Sequence, residues 1–201
     1  MTLLIVVGMD REARIVAGRG QVIVGTRGLE AALAGGPAGV VSFGLCGGLD
    51  PALRVGDLVI GGGKAGWLDE LAAALPGAVR GEVIGSDDIV GSAAAKTALR
   101  AKTGAIAVDM ESHIVAEAAV RAGVPFAILR AVSDPADRTL PRAAQAGFNP
   151  DGSVNIPAVL AALLRRPGEL PALLQTARDA AKAFAALETA AAALTGPPDV
   201  G

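Results

Sequence analysis

Short runs of β-branched and other apolar residues alternate with alanine-rich stretches along most of the chain, and this alternation limits the fold more than any other feature of the sequence. The apolar runs predict strands at 3–7, 21–24, 40–43, 57–60, 82–84, 105–108 and 126–131. The intervening stretches predict helices at 11–16, 28–34, 68–75, 93–102 and 111–122. From residue 157 onward we expect helix in two pieces, broken by Pro167, Gly168 and Pro171. Strands that alternate with helices predict an α/β sandwich around a mostly buried sheet.

The composition is typical of a compact globular protein. The 201 residues suit one domain, and 52% hydrophobic residues supply ample material for a core. We therefore expect a single domain over residues 1–195 and a disordered tail over 196–201. The net charge of −2 argues against a nucleic-acid surface, which is normally basic. One Cys and one His exclude a disulfide framework and argue against a zinc site, so no metal is expected.

The sequence also predicts a cytoplasmic protein. The apolar run at 3–7 lacks a basic leader and predicts a strand rather than a signal peptide. Outside the alanine-rich tail, no stretch approaches the roughly 18 consecutive apolar residues of a transmembrane helix.

Two glycine clusters have some of the character of ligand-binding loops. The cluster "GLCGGLD" at 44–50 follows a predicted strand and can bring backbone N–H groups close to a ligand, but it lacks the dinucleotide-binding spacing. In "GGGKAG" at 61–66, Ala65 follows Lys64 where a phosphate loop needs Ser or Thr. The first cluster therefore argues against an NAD-type Rossmann protein, and the second argues against a nucleoside-triphosphate site.

Acidic residues follow several of the predicted strands, at the sheet edge where ligands bind in open α/β folds. They are Glu12, Asp87, Asp88, Asp109, Glu111 and Asp134. Because no basic cluster accompanies them, they predict a neutral or cationic, hydroxyl-rich ligand rather than a polyphosphate. Each also has a structural alternative, as a first-turn helix residue or a turn residue. Asp109 and Glu111 are the most unusual, because a charge at the end of a buried strand costs several kcal/mol without a partner.

The single histidine does not point to catalysis. His113, Glu117 and Arg121 lie at spacings of four, which predicts a polar helix face with a favourable Glu-to-Arg pair. We therefore interpret His113 as a surface residue. Cys46 is expected to be a small packed residue, and nothing places a serine beside the histidine to form a triad.

Four stretches carry a resemblance to a known family. They are "VGMDRE" at 7–12, "SFGLCGGLDPALRVGDLVI" at 42–60, "AVDMESH" at 107–113 and "LRAVSDPAD" at 129–137. In this order they resemble the purine nucleoside phosphorylase and nucleosidase superfamily. The resemblance implies a three-layer α/β sandwich with a central mixed, mostly parallel sheet flanked by helices. It also implies an enzyme that cleaves the N-glycosidic bond of a purine nucleoside.

The resemblance assigns roles to particular residues. Glu111 would accept hydrogen bonds from the 2′- and 3′-hydroxyls of ribose while Met110 packs against the sugar, so that the substrate supplies the partner of the buried charge. Asp134 would protonate N7 of the purine, and Glu12 would orient and deprotonate an attacking water. The other substrate-binding positions that the resemblance implies are Gly47, Ile89, Val90, Asp109 and Ser133. The related nucleosidases commonly carry Glu at the position of Asp109.

The nucleophile and the 5′ group are the open points. A carboxylate at Glu12 would repel a phosphate dianion, which favours hydrolysis. However, "SDPADRTLPRAA" at 133–144 and "LLRRPGELPALL" at 163–174 are similar to the hopanoid-associated phosphorylases, a subgroup whose name implies phosphate as co-substrate. Arg27 is a weak candidate for binding that phosphate, and Arg54 is interpreted as structural. Ile89 stands where relatives often carry an aromatic ring, and Leu45 where nucleosidases usually carry Ser. We therefore expect an aliphatic pocket, no further cofactor, and a bulky apolar 5′ group such as that of adenosylhopane.

Other functions remain open from the sequence. The chain could be a nucleosidase of the methylthioadenosine/S-adenosylhomocysteine type, or a nucleoside-binding module without catalysis. The helical tail is expected to pack on the core or to form a homodimer contact, with a peripheral membrane contact as the alternative. It lacks the large aromatic residues and the strong basic face of an interfacial helix.

Overall fold

The computed structural model describes residues 2–63, 65–147 and 155–197. The strands are β1 (Leu3–Val7), β2 (Gln21–Val24), β3 (Gly39–Gly48), β4 (Leu58–Gly61), β5 (Val79–Arg80), β6 (Val83–Gly85), β7 (Ala107–Asp109) and β8 (Phe126–Asp134). The helices are α1 (Asp10–Ile15), α2 (Leu29–Ala34), α3 (Ala65–Ala74), α4 (Ala93–Thr103), α5 (Ser112–Ala122), α6 (Arg142–Ala146), α7 (Ile156–Arg165) and α8 (Leu170–Ala190). Short 3-10 turns at Pro167–Glu169 and Ala191–Ala193 precede and follow α8.

The strands form one mixed sheet in which parallel pairs predominate. Its main path runs in the order β2-β1-β3-β8-β4-β5, and β7 joins the end of β3 and pairs with β6. Only the β4–β8 and β3–β7 pairs are antiparallel among the described strands. The prediction of an α/β fold with a mixed, mostly parallel central sheet is therefore confirmed.

Helices cover both faces of the sheet, and the sequence of β1 shows why. Leu3, Ile5 and Val7 point to one face and pack in a cluster that includes Trp67 of α3 and Phe184 of α8. Leu4 and Val6 point to the other face and pack against α2 and α5. Side chains alternate along a strand, so a strand buried on both faces is apolar at every position.

The residues that end the helices also follow simple rules. The hydroxyl of Ser92 accepts the N–H of Ala95 at 3.1 Å and so caps the start of α4. Gly104 ends α4 in the left-handed conformation, with φ of 77°, which costs glycine no steric strain.

Most predicted elements are present, but β3 and β8 are longer than expected. Both continue past the predicted ends at residues 43 and 131, and these extensions carry residues 44–48 and 132–134 toward the candidate site. The strand β5 and the helix α6 were not predicted. Pro171 does not break the tail, because it lies in the first turn of α8, where its missing N–H has no helical partner to lose.

The predicted domain limits remain predictions. Residues 148–154 and 198–201 lie outside the described residues, and most of the predicted tail at 196–201 falls there. No helix in the described part of the chain is long and apolar enough to cross a membrane.

Candidate active site

A cavity of about 170 Å³ opens at the carboxyl ends of β1, β3, β7 and β8. One ordered water needs only about 10–15 Å³ of such space, so the cavity can hold a much larger ligand. Its lining residues are Gly8, Met9, Glu12, Leu45, Cys46, Gly47, Asp88, Ile89, Val90, Val108, Asp109, Met110, Glu111, Arg130, Ser133, Asp134 and Leu140. The structure thus brings together the sequence-predicted site residues except Arg27 and Asp87.

Glu12 is buried at the floor of the cavity, with 1% of its surface exposed. The N–H groups of Gly8 and Met9 donate to its Oε2 at 2.8 and 3.0 Å, and the N–H of Leu45 donates to Oε1 at 2.9 Å. Burial raises the pKa of Glu12 to about 7, although Arg130 and these backbone donors oppose the rise. A carboxylate with this pKa can accept a proton near neutral pH, as a general base must.

Two glycines make room for the carboxylates. A Cβ atom at Gly44 would lie 2.4 Å from Oε1 of Glu12, and Gly44 has a φ of 154°. A Cβ atom at Gly8 would lie 2.8 Å from Oε1 of Glu111. The backbone ends of β1 and β3 can therefore lie against both acids only where no side chain intervenes.

Glu111 precedes α5 and presents its carboxylate to the cavity with a quarter of its side chain exposed. Burial raises the pKa of Glu111, and the nearby charge of Asp109 adds to the rise while Arg130 opposes it. Oε2 of Glu111 lies 3.6 Å from Nη2 of Arg130. The carboxylate is therefore held by one cation and still accessible to a ligand.

Arg130 is a buried cation that the sequence analysis missed as a site residue. Its Nε lies 2.6 Å from Oδ2 of Asp109, and its Nη2 donates to the hydroxyl of Ser42 at 2.6 Å. Burial alone would lower the pKa of Arg130, but the carboxylates of Asp109, Glu111 and Glu12 outweigh it and raise the pKa above its ordinary value. Arg130 lies within the apolar run "FAILRAV", where a buried guanidinium requires carboxylate partners, and this was the signal that could have found it.

Asp109 has its partners within the protein. Besides the Arg130 contact at Oδ2, its Oδ1 accepts the hydroxyl of Ser112 at 2.7 Å and the N–H groups of Ser112 and Glu111 at 3.0 and 3.3 Å. Asp109 therefore needs no partner from a ligand, whereas the expectation that the substrate partners Glu111 stays a prediction. Asp109 lines the cavity, but its oxygens are engaged in holding Arg130 and the start of α5.

Asp134 ends β8 and is nearly buried, with 9% of its surface exposed. The hydroxyl of Ser133 donates to its Oδ1 at 2.9 Å, and the ammonium of Lys96 forms an ion pair with its Oδ2. Burial raises the pKa of Asp134, opposed by Lys96, Ser133 and Arg138. A raised pKa keeps the carboxyl closer to the protonated form that a general acid needs.

Two buried cations accompany the acids, although no basic cluster is present in the sequence. Arg130 lies among Glu12, Asp109 and Glu111, and Lys96 is paired with Asp134. Both cations are fully buried, so each is committed to its carboxylate partners rather than to a free anion.

The remaining wall of the cavity is aliphatic. Ile89, Val90, Val108 and Leu140 form it, and the residues that line the cavity in the described chain include no aromatic ring. Met110 lies at the edge, with 37% of its surface exposed. Cys46 is buried, and burial raises the pKa of its thiol well above its usual range.

Four positions that were considered in the sequence analysis lie outside the cavity: Arg27, Arg54, Asp87 and His113. Arg27 is exposed in the turn before α2 and does not line the cavity, so its role in binding phosphate stays a prediction. Arg54 is exposed, and its N–H donates to Asp57 at 2.8 Å. Asp88 lines the cavity, whereas Asp87 is exposed and lies 3.4 Å from Nε2 of His113, which is outside the cavity.

Comparisons with known proteins agree with this architecture. A family model described as "Phosphorylase superfamily" matches residues 64–165. The fold is similar to that of 5′-methylthioadenosine/S-adenosylhomocysteine nucleosidase from Neisseria meningitidis in complex with methylthio-immucillin-A, with a TM-score of 0.59 and 20% identity over 92% of this chain and 97% of that chain. The nucleosidase from Colwellia psychrerythraea in complex with adenine gives a TM-score of 0.60 and 17% identity over 93% and 96% of the two chains. Futalosine hydrolase of Helicobacter pylori gives 0.57 and 15% over 92% and 96%.

Proposed function

The chain belongs to the Phosphorylase superfamily, and from this premise we propose that it cleaves the N-glycosidic bond of a purine nucleoside through Glu12, Glu111 and Asp134. As a member of this group it is an N-glycosyl-bond-cleaving enzyme, and its structural neighbours include nucleosidases and a hydrolase. The observation that carries the proposed residue roles is that the three acids line one cavity, although they come from three separate parts of the sequence.

In the proposed complex Glu111 binds the sugar. A carboxylate can accept hydrogen bonds from two neighbouring hydroxyls, and such charge-assisted bonds are roughly twice as strong as neutral ones. The accessible quarter of the Glu111 side chain provides the acceptor, and Met110 beside it provides an apolar surface for the ring. Arg130 holds the Glu111 carboxylate in place from the buried side.

Asp134 is the proposed general acid. A purine is a poor leaving group as an anion and a good one once N7 carries a proton, and a positioned donor is typically worth about 10²–10⁴ in rate. The proton passes from the Asp134 carboxyl to N7 while the C1′–N9 bonding pair moves onto the base. The ribose left behind resembles an oxocarbenium ion, and the carboxylates of the cavity stabilise that positive charge.

Glu12 is the proposed general base for a water nucleophile. The water oxygen bonds to C1′ and its proton passes to Glu12, so the products are free base and free sugar. Glu12 then loses the proton and Asp134 regains one by exchange with solvent. A neutral nucleophile suits this position, because a phosphate dianion would meet the Glu12 carboxylate, and Arg130, the cation near Glu12, is already paired with Asp109.

Labelled water distinguishes hydrolysis from phosphorolysis. In ¹⁸O-water, with and without inorganic phosphate, hydrolysis places one label on the sugar in both arms. A sugar 1-phosphate without label would show that phosphate is a co-substrate and would overturn the hydrolytic proposal. We further propose that water and protein groups suffice for the reaction, so that dialysis against EDTA leaves the rate unchanged.

The 5′ side of the proposed substrate is apolar. The aliphatic wall of the cavity supports an apolar ligand in general, and the similarity to hopanoid-associated phosphorylases in the sequence supports a bulky apolar 5′ group in particular. Adenosylhopane, cleaved to ribosylhopane and adenine, is the proposed substrate, with methylthioadenosine as the alternative that the nucleosidase fold favours.

Release of free adenine tests these proposals. Adenosylhopane, adenosine and methylthioadenosine are incubated with the protein, and adenine is quantified by chromatography. The highest kcat/KM is expected for adenosylhopane. Equal or better cleavage of adenosine would overturn the apolar 5′ group but not the glycosidic cleavage itself.

The same assay distinguishes an enzyme from a binding module. Glu12→Gln and Asp134→Asn should each lower adenine release by about 10² or more while binding of a non-hydrolysable analogue is retained in calorimetry. Glu188→Gln, on the exposed surface of α8, is the matched control and should keep the full rate. If the unmodified protein binds the analogue but releases no adenine, the catalytic proposal fails.

We also propose that the protein is a homodimer. Ile156, Leu160 and Leu164 lie four residues apart on one face of α7, and between 56% and 84% of each is exposed. Apolar side chains in a row of this kind usually meet a partner. Light scattering should give twice the mass of 19.8 kDa, and Leu160→Glu should reduce it to one chain. A monomer that binds lipid vesicles would instead support the membrane contact.

A further inference from the structure

Lys96 is the most buried charged residue outside the residues that line the cavity. It lies on α4 with no exposed surface, and its ammonium points to the end of β8. There it forms an ion pair with Oδ2 of Asp134. It also donates to the carbonyl oxygens of Asp134, Pro135 and Arg138 at 3.3, 2.9 and 3.2 Å.

Burying the charge of Lys96 costs free energy that a solvent-exposed lysine would not lose. Removing an ammonium from water costs several kcal/mol, and the carboxylate and carbonyl oxygens around Lys96 offset that cost by accepting its N–H groups. An alanine-rich helix such as α4 could keep a lysine in solvent at no such cost, as Lys102 on the same helix does. The burial of Lys96 therefore fixes the loop after β8 and the carboxyl group of Asp134 at a particular position.

The loop is tied to α4 at further points. The hydroxyl of Thr139 accepts the N–H of Ala93 at 3.1 Å, and the N–H of Leu140 donates to the carbonyl of Gly91 at 2.7 Å. Leu140 itself lines the cavity. Lys96 is thus the charged centre of a contact that links the candidate acid to the start of α4.

We infer that Lys96 is a positioning residue for the proposed general acid: it orients the Asp134 carboxyl toward the base and stabilises the carboxylate that forms when the proton leaves. The inference rests on the proposed function. The O–H bond of Asp134 breaks as the N7–H bond forms, and the bonding pair from C1′–N9 goes to the purine. The negative charge that remains on Asp134 then lies beside an ammonium.

The groups that face Asp134 explain why such a cation is useful. Burial makes the carboxyl hold its proton more tightly, and this raises its pKa. Lys96 from α4 opposes that rise, as does Arg138, whose guanidinium is shared with Asp179 of α8. The Cys46 thiol of β3 also faces Asp134 and is held neutral by its burial. The cation therefore keeps a buried acid strong enough to release its proton.

Lys96→Met tests the inference, because methionine keeps most of the side-chain volume and removes the charge. Lys102→Met, on the exposed surface of the same helix, is the control. The substrates are the best-cleaved purine nucleoside and 4-nitrophenyl β-riboside, whose leaving group departs as a stable anion and needs no proton. Thermal unfolding establishes that each variant is folded.

We expect kcat of Lys96→Met on the purine nucleoside to fall by about 10², the lower end of the range for a general acid, with little change in KM. On the nitrophenyl riboside the rate of Lys96→Met should stay within about threefold of the rate of the unmodified protein. Lys102→Met should stay within the same limit on both substrates. The alkaline limb of the purine rate should also move to higher pH, because Asp134 without the ammonium keeps its proton longer.

An unchanged kcat on the purine nucleoside would overturn the inference. An equal loss on both substrates, with an unmoved pH profile, would also overturn it and show a role in folding only. If Lys96→Met does not fold, Lys96→Gln is tested in its place. Either substitution is also combined with Asp134→Asn. In that background the loss of Lys96 should cost no further purine cleavage. If the unmodified protein releases no base, the proposed function itself is what fails.

Discussion

Glu12 makes the folding stability of this protein depend on pH in a direction opposite to that of most carboxylates. Its pKa rises from an ordinary 4.5 to about 7 in the folded state because burial disfavours the charge. Between these values the unfolded chain has lost the proton and the folded chain still holds it. Stability from this group is therefore fully present below pH 4.5 and is lost as pH rises through about 7.

The size of the effect follows from the same two values. Each pH unit between them contributes about 1.4 kcal/mol, so the shift corresponds to about 3 kcal/mol. Glu12→Gln removes the titration. The difference in free energy of unfolding between Glu12→Gln and the unmodified protein should therefore move by about 3 kcal/mol in favour of the variant between pH 4.5 and pH 8.

Urea unfolding at both pH values, followed by circular dichroism, measures this difference. Taking the difference cancels all other groups that titrate equally in both proteins. It also cancels any constant cost of placing the Gln amide against the N–H groups of Gly8, Met9 and Leu45. Glu188→Gln, at an exposed position, shows how much a Glu-to-Gln exchange alone changes the free energy of unfolding at each pH. A difference that does not change with pH, or changes in the other direction, would refute the reasoning.

Three further predictions concern the same cavity. The rate of base release should rise with pH through about 7 as Glu12 ionises, and a steady-state pH profile that lacks this acidic limb would contradict the assignment of Glu12 as general base. Arg130→Met should destabilise the fold by about 3–5 kcal/mol in urea unfolding, because it leaves buried carboxylates unpaired, and a loss below about 1 kcal/mol would contradict it. Gly8→Ala should raise KM several-fold with a smaller change in melting temperature, because its Cβ would displace the carboxylate of Glu111, and an unchanged KM would show that Glu111 does not bind the sugar.

The fold could be predicted from the sequence because local pattern and tertiary packing agree in most elements. The strand β1 is apolar at five consecutive positions because helices cover both of its faces, and this run is visible without any structure. The extra lengths of β3 and β8 could not be predicted in this way. Their glycine-rich and polar ends form strand only because they pair with each other, from Gly44 opposite Arg130 to Gly47 opposite Asp134.

The site shows the same limit. Acids at strand ends could be read from the sequence, because parallel strands end at one edge of a sheet. The cations could not be assigned in the same way. Arg130 lies in the middle of an apolar strand and Lys96 within an alanine-rich helix. Only the tertiary fold brings Arg130 beside Asp109 and Lys96 beside Asp134. A long-range ion pair leaves little trace in local sequence pattern.

The most direct test compares adenine release by the unmodified protein with that of Glu12→Gln, Glu111→Gln and Asp134→Asn on the same purine nucleoside. The unmodified protein should release one adenine per sugar, and each variant should lose about 10² or more in kcat/KM while remaining folded. No adenine from the unmodified protein, or full activity in any one of the three variants, would contradict the claim that these acids act together on one glycosidic bond.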